Sequence, residues 1–187
     1  MKRIVFASCL ALASYMMVSC NSGTTTENKD AVDSAKAVNK EQKPVDKSVS
    51  DFAVKATSGG IMEVELGKIA AQKAVNPRVK AFGQMMVDDH SKANDDLKSR
   101  AAMENITLPS NMSDDQQKMV DNVNKKTGKD FDKEYMDMML NGHKDVLDMF
   151  QKASADLSDS TIKEFATNTI PAIQKHLDSA RAITGKK

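Results

Sequence analysis

The sequence predicts an all-α protein built as a four-helix bundle, on three observations. From residue 51 onward apolar residues recur at spacings of three and four. No segment alternates with the two-residue period of a strand, and helix-capping residues stand where the periodic runs begin. Phe52, Ala56, Gly59, Glu63, Leu66 and Ala70 trace the stripe of a first helix that runs to about Ala74. Asn76 and Pro77 then supply an N-cap and a first helical residue. The second helix carries Phe82, Met86, His90, Ala93, Leu97 and Ala101, and stops near Pro109.

Ser113 opens a shorter helix with acidic residues in its first turn and lysines in its last, a placement that suits the helix dipole, and Gly128 ends it. Asp130 is placed to cap a third long helix with the stripe Phe131, Tyr135, Met139, His143, Val146, Phe150 and Ala153. Ile162, Phe165, Thr169, Ile173, His176, Ala180 and Ile183 form the stripe of the last. Pro171 falls inside it and predicts a kink near Thr167, because proline removes one hydrogen bond and crowds the preceding turn.

Helices of roughly 24 residues would be about 36 Å long and can share one core. Two tight hairpins separated by a crossover containing the short helix give the order of a ferritin-like bundle. A plain up-down bundle with a decorated middle loop fits the same pattern.

The chain start reads differently. Lys2 and Arg3 precede the apolar run "IVFASCLALASYMMV", which is too short and too early for a durable membrane span. It ends in Met17-Val18-Ser19-Cys20, which resembles the lipobox of bacterial lipoprotein signal peptides. The expected organisation is a signal peptide over 1–19, a lipidated Cys20 with a flexible tether over 20–50, and a bundle over 51–187. Residues 21–50 contain little that could offset the entropy of ordering them. The expected location is the cell envelope, lipid-anchored at the outer membrane and facing the periplasm.

Composition excludes several classes of function. With 27 basic and 26 acidic residues the chain lacks the positive excess that nucleic-acid binding needs. Its two cysteines are Cys9, inside the signal, and Cys20, so no disulfide framework is available. There is no Gly-x-Ser-x-Gly elbow and no phosphate-cradling glycine loop, and the sequence leans away from catalysis. The glycines of "SGG" at 58–60 suit close helix packing instead.

Glu63, His90, His143 and His176 occupy stripe positions, one on each long helix. Counted from its hairpin turn, each lies roughly 18–24 Å along its helix, so antiparallel partners bring the pairs to one level near mid-bundle. A buried imidazole or carboxylate is costly unless it is bonded, paired or bound to a metal. Three imidazoles and one carboxylate suit zinc, iron, manganese or copper, with Asp89 as an additional ligand or as a partner that orients a ring. A satisfied polar network that fixes helix register accounts for the same residues. Met86 and Met139, each four residues before a histidine, add thioethers that suit Cu(I), although with 13 methionines in the chain they equally serve as core filler. Di-iron bundles place a glutamate three residues before a histidine. Val87, Leu140 and Ile173 hold those places, so ferroxidase chemistry is not expected.

"DFAVKATSGGIMEVELGKIAAQKAVNPRVKAFGQMMVDDHSKANDDL", "KDFDKEYMDMMLNGHKDVLDMF" and "IKEFATNTIPAIQKHLDSA" resemble the domain-of-unknown-function 4142 family across residues 51 to 183. The resemblance implies an exported bacterial protein with a ferritin-like helical bundle, often given an outer-membrane label that describes location rather than a barrel. It implies no settled activity, and its motif residues fall on Glu63, His90, His143 and His176. Two readings stand: a lipid-tethered, non-catalytic envelope module that binds a protein partner or serves stress adaptation, and a transition-metal or redox bundle centred on those four residues.

Overall fold

The computed structural model describes residues 30–41 and 45–186, which form six α-helices and, among the described residues, no strand. They are α1 (Ala31–Glu41), α2 (Lys47–Lys73), α3 (Pro77–Met103), α4 (Asp114–Asn124), α5 (Gly128–Asp156) and α6 (Ser160–Thr184). The expected signal peptide and Cys20 lie outside the described residues.

Local chemistry accounts for the helix starts. Asp46 accepts from the Ser48 amide at 2.7 Å, Asn76 from Arg78 at 2.9 Å and Asp159 from Ile162 at 2.8 Å. Each satisfies an amide that the first turn leaves without an intrahelical partner. Ser113 and Gln116 form a reciprocal capping box at the head of α4. Gln116 also accepts from Ser58 on α2, which fastens the crossover to the bundle.

Contacts at the helix ends fix the topology. Asp132, in the first turns of α5, accepts from the amides of Val75 and Asn76 at the α2–α3 turn, at 3.1 and 2.8 Å. Arg78, at the head of α3, donates to Ala182 near the end of α6. Arg100, at the tail of α3, donates to Thr161 at the head of α6. α3 and α5 therefore start at the same end, and α2 and α6 run the opposite way. The α3–α5 connection must travel the length of the bundle, and α4 lies within it.

Two apolar clusters fill the interior. One gathers Leu66, Phe82, Met86, Tyr135, Met139 and Leu177, and the other Phe52, Leu97, Phe150, Ile162, Phe165 and Ile173. Glu63, His90, His143 and His176 fall on their helices between these two groups. No described helix is long and apolar enough to cross a membrane.

Four expectations need correction. Residues 31–41 of the expected tether are helical, and α2 begins at Lys47 rather than near Asp51. α1 buries Ala35 and Asn39, and the Asn39 amide bonds both the carbonyl and the amide of Thr107, at 2.8 and 2.7 Å. Those contacts lie 68 residues away, out of reach of a local composition argument. Gly128 opens α5 with φ +58°, acting as the turn residue between α4 and α5 rather than as the stop of α4. Asp130 lies in the first turn of α5 instead of capping it. α6 continues as one helix through Pro171, as the apolar stripe running past that residue requires. Pro171 and Thr167, whose carbonyl loses its amide partner, are both exposed, so water can satisfy that group.

Candidate metal centre

α2 and α3 must approach closely for the site to form, and three glycines allow it. A Cβ on Gly67 would lie 2.7 Å from the Gly83 carbonyl oxygen, and one on Gly83 would lie 2.8 Å from the Gly67 oxygen. A Cβ on Gly60 would meet the Asn94 amide oxygen at 2.3 Å. Glu63 and His90 sit between these two contact points, where the helix axes are drawn together.

The structure brings all four stripe residues into one buried layer. His143 is fully buried, His176 is 1% exposed, Glu63 5% and His90 8%. The ring centroids lie 5.1, 5.3 and 5.8 Å apart. One ligand nitrogen from each histidine lies within 4.8 Å of the other two. The wager of sequence spacing, that one side chain from each long helix meets near mid-bundle, matches this arrangement.

Each ring is held from behind. His143 Nδ1 lies 3.0 Å from the Met139 carbonyl oxygen, an acceptor only, so Nδ1 carries the proton and donates. His176 Nε2 lies 2.9 Å from Asp89 Oδ2, and Asp89 is held below the usual carboxylate range by that bond and by Lys175, against the opposing effect of its partial burial. His176 therefore donates through Nε2. His90 Nδ1 is 3.3 Å from Glu63 Oε2, while the other oxygen of Glu63 lies 3.7 Å from His143 Nδ1.

What remains faces inward. His143 Nε2 and His176 Nδ1 are 3.3 Å apart. With the tautomers fixed from behind, both are lone-pair nitrogens. His90 Nε2 is buried without a hydrogen-bond partner. Facing lone pairs repel unless a proton or a metal cation lies between them. Burial opposes the proton: it pushes His90 and His143 down to about 4, and lowers His176 despite the bond to Asp89. Burial also raises Glu63, partly offset by His143. The His90–Glu63 contact has ion-pair distance, yet both shifts favour the neutral forms.

The candidate residues thus divide by role. His90, His143 and His176 converge. Glu63 and Asp89 stand behind the rings, where carboxylates commonly orient metal-bound imidazoles. Asp89 is therefore a ring partner rather than a further ligand, and Glu63, expected as a ligand, is not among the converging atoms. Met86 and Met139 are buried in the apolar cluster with Leu66, Phe82 and Tyr135, the place of core residues. Sequence reasoning missed the Met139 carbonyl and Lys175, whose Nζ lies 3.6 Å from Asp89 Oδ2. The four-residue spacing of Met139 and His143 was the available signal for the first. Adjacency to His176 was the signal for the second.

The fold and site together define an all-helical bundle with a buried three-histidine layer. A family model described as "Domain of unknown function (DUF4142)" matches residues 23–183, and the chain belongs to that family. The match extends N-terminal to residue 51 and takes in α1. No curated protein and no solved structure matches the chain.

Proposed function

We propose that this chain binds a divalent transition-metal cation through His90, His143 and His176, and that it holds the metal rather than turning over a substrate. One observation carries the reading: His143 Nε2 and His176 Nδ1 face each other at 3.3 Å while an acceptor fixes the proton on the far side of each ring. Ligands at ~2.0–2.1 Å from a tetrahedral zinc are about 3.3–3.4 Å apart, which matches that separation. Glu63 and Asp89 bring two carboxylates to the layer, balancing a dication whose burial would otherwise be expensive. Imidazole nitrogen with no converging carboxylate oxygen favours zinc or copper(II) over manganese.

The antiparallel order described above supports a ferritin-like bundle as the framework. The lipobox-like Ser19-Cys20 supports a lipid-anchored envelope protein, with the metal domain carried at the outer membrane and facing the periplasm. In that setting the domain serves as a non-catalytic binding or stress-adaptation module whose ligand is the metal.

The test is metal uptake by the full chain lacking only its signal and lipid. Cobalt(II) should give the intense visible absorption of a tetrahedral nitrogen site, and zinc should displace it. His90→Ala, His143→Ala and His176→Ala should each abolish the band. A folded wild type that takes up no transition metal overturns the proposal. Palmitate labelling of wild type but not of Cys20→Ser tests the anchor, and an unlabelled wild type removes it.

A further inference from the structure

The four side chains of the histidine layer are shielded, at 7% exposure for Glu63, 10% for His90 and 1% each for His143 and His176. Along the bundle axis the two apolar clusters close the layer at both ends. Asp89 is different. Its side chain is 27% exposed, and the oxygen that accepts from His176 at 2.9 Å is the same one that lies 3.6 Å from Lys175 Nζ. One carboxylate oxygen therefore touches both the buried ring and the solvent boundary, at the seam between α3 and α6.

We infer that the cation enters through this α3–α6 seam, attracted by Asp89 and opposed by Lys175, so that Lys175 sets the rate of loading. The inference rests on the metal reading above. A hydrated dication must exchange its waters for ligands one at a time, and Asp89 presents the most exposed anionic oxygen attached to the layer. Asp89 is also the hydrogen-bond partner of His176 Nε2, so a cation that engages this carboxylate loosens the ring that blocks the way inward. Lys175 is 62% exposed and its 3.6 Å contact is too long for a firm hydrogen bond. It is a mobile positive charge at the entrance, and it can swing away without disturbing the core.

Stopped-flow cobalt(II) uptake by the full chain without its lipid tests this. A unit charge acting on a dication roughly 6 Å away in water predicts that Lys175→Gln loads about three- to tenfold faster at low ionic strength. Lys175→Glu should be faster still, and the differences should shrink as salt is raised. Asp89→Asn should load more slowly. Lys129→Gln, on an exposed lysine near the head of α5, should match wild type. Equal loading rates for wild type, Lys175→Gln and Lys175→Glu, with cobalt bound in all three, overturn the entry route and leave the metal site standing. Failure of every folded chain to bind cobalt overturns the metal reading instead, and the route with it.

Discussion

His143 and His176 meet edge to face, with Nε2 of one ring 3.3 Å from Nδ1 of the other and a hydrogen-bond acceptor behind each. The acceptor behind His143 is the backbone oxygen of Met139, and that detail separates two metal chemistries. Met139→Leu keeps the carbonyl and removes only the thioether. It should retain metal affinity within a few-fold of wild type, whereas His143→Ala should lose binding. At zinc a hundredfold above its dissociation constant, binding is worth about 2.7 kcal/mol, or roughly 5–10 °C in the melting temperature of a chain this size. Differential scanning calorimetry should show that gain in wild type and Met139→Leu and none in His143→Ala. Loss of the gain in Met139→Leu would identify the sulfur as a ligand and refute an all-imidazole metal site.

Acid should destabilise the metal-free chain. Burial depresses His90 and His143 from their ordinary value to about 4 in the folded state. A group with a depressed folded pKa contributes stability above its unfolded pKa, near 6.5, and loses it as the pH falls through the folded one. Glu63 is shifted upward and opposes this, since its neutral form is favoured as the pH falls. His176 is shifted downward as well, and three histidines against one carboxylate leave a net loss between pH 6.5 and 4. In chelator the melting temperature should drop on the order of 10 °C across that window. His143→Gln should flatten the slope whatever its own stability, and a flat wild-type curve would mean that the rings titrate normally.

What could be read from the sequence were the features that local rules govern. Asn76-Pro77 and Ser113 start helices as expected because capping depends on adjacent residues. The stripes placed Glu63, His90, His143 and His176 inside because helical periodicity fixes the face a residue occupies. The same periodicity does not fix which atom of a side chain faces the centre. Glu63, expected as a ligand, consequently stands behind a ring, and Asp89 takes the second of the two places expected for it, as a partner that orients a ring. α1 escaped notice because its buried residues are a small alanine and an amide, and its partner at Thr107 is distant in the chain. A period-based reading looks for bulky apolar residues, and α1 offers few.

That long-range amide makes α1 testable by itself. Asn39→Ala would remove both bonds to Thr107 and leave a backbone amide and carbonyl without those partners. Such a loss costs about 1–3 kcal/mol. Hydrogen exchange should quicken across 31–41 in the variant while α2, α3, α5 and α6 keep their protection and the metal site its affinity. Unchanged exchange in α1 would show that Ala35 and its apolar neighbours suffice to hold the helix.

The glycine seam predicts opposite outcomes for two similar substitutions on one helix. At Gly59 a Cβ would meet nothing within 4 Å, and at Gly67 it would lie 2.7 Å from the backbone oxygen of Gly83. Alanine is the better helix former, so Gly59→Ala should raise stability by about 0.5–1 kcal/mol. The same propensity gain at Gly67 is opposed by a clash with main chain, which cannot rotate aside as a side chain can. Overpacking of this kind typically costs ~1–3 kcal/mol, so Gly67→Ala should be destabilised on balance. Relief of the clash must move α2 away from α3 one turn from Glu63, lengthening the 3.3 Å contact that holds His90. Gly67→Ala should therefore bind metal more weakly than wild type, and Gly59→Ala should bind it equally well. Denaturant titration and zinc competition against a chromophoric chelator measure the two effects separately. If both variants match each other in stability and in affinity, close approach of α2 and α3 is not what positions Glu63 behind the ring of His90.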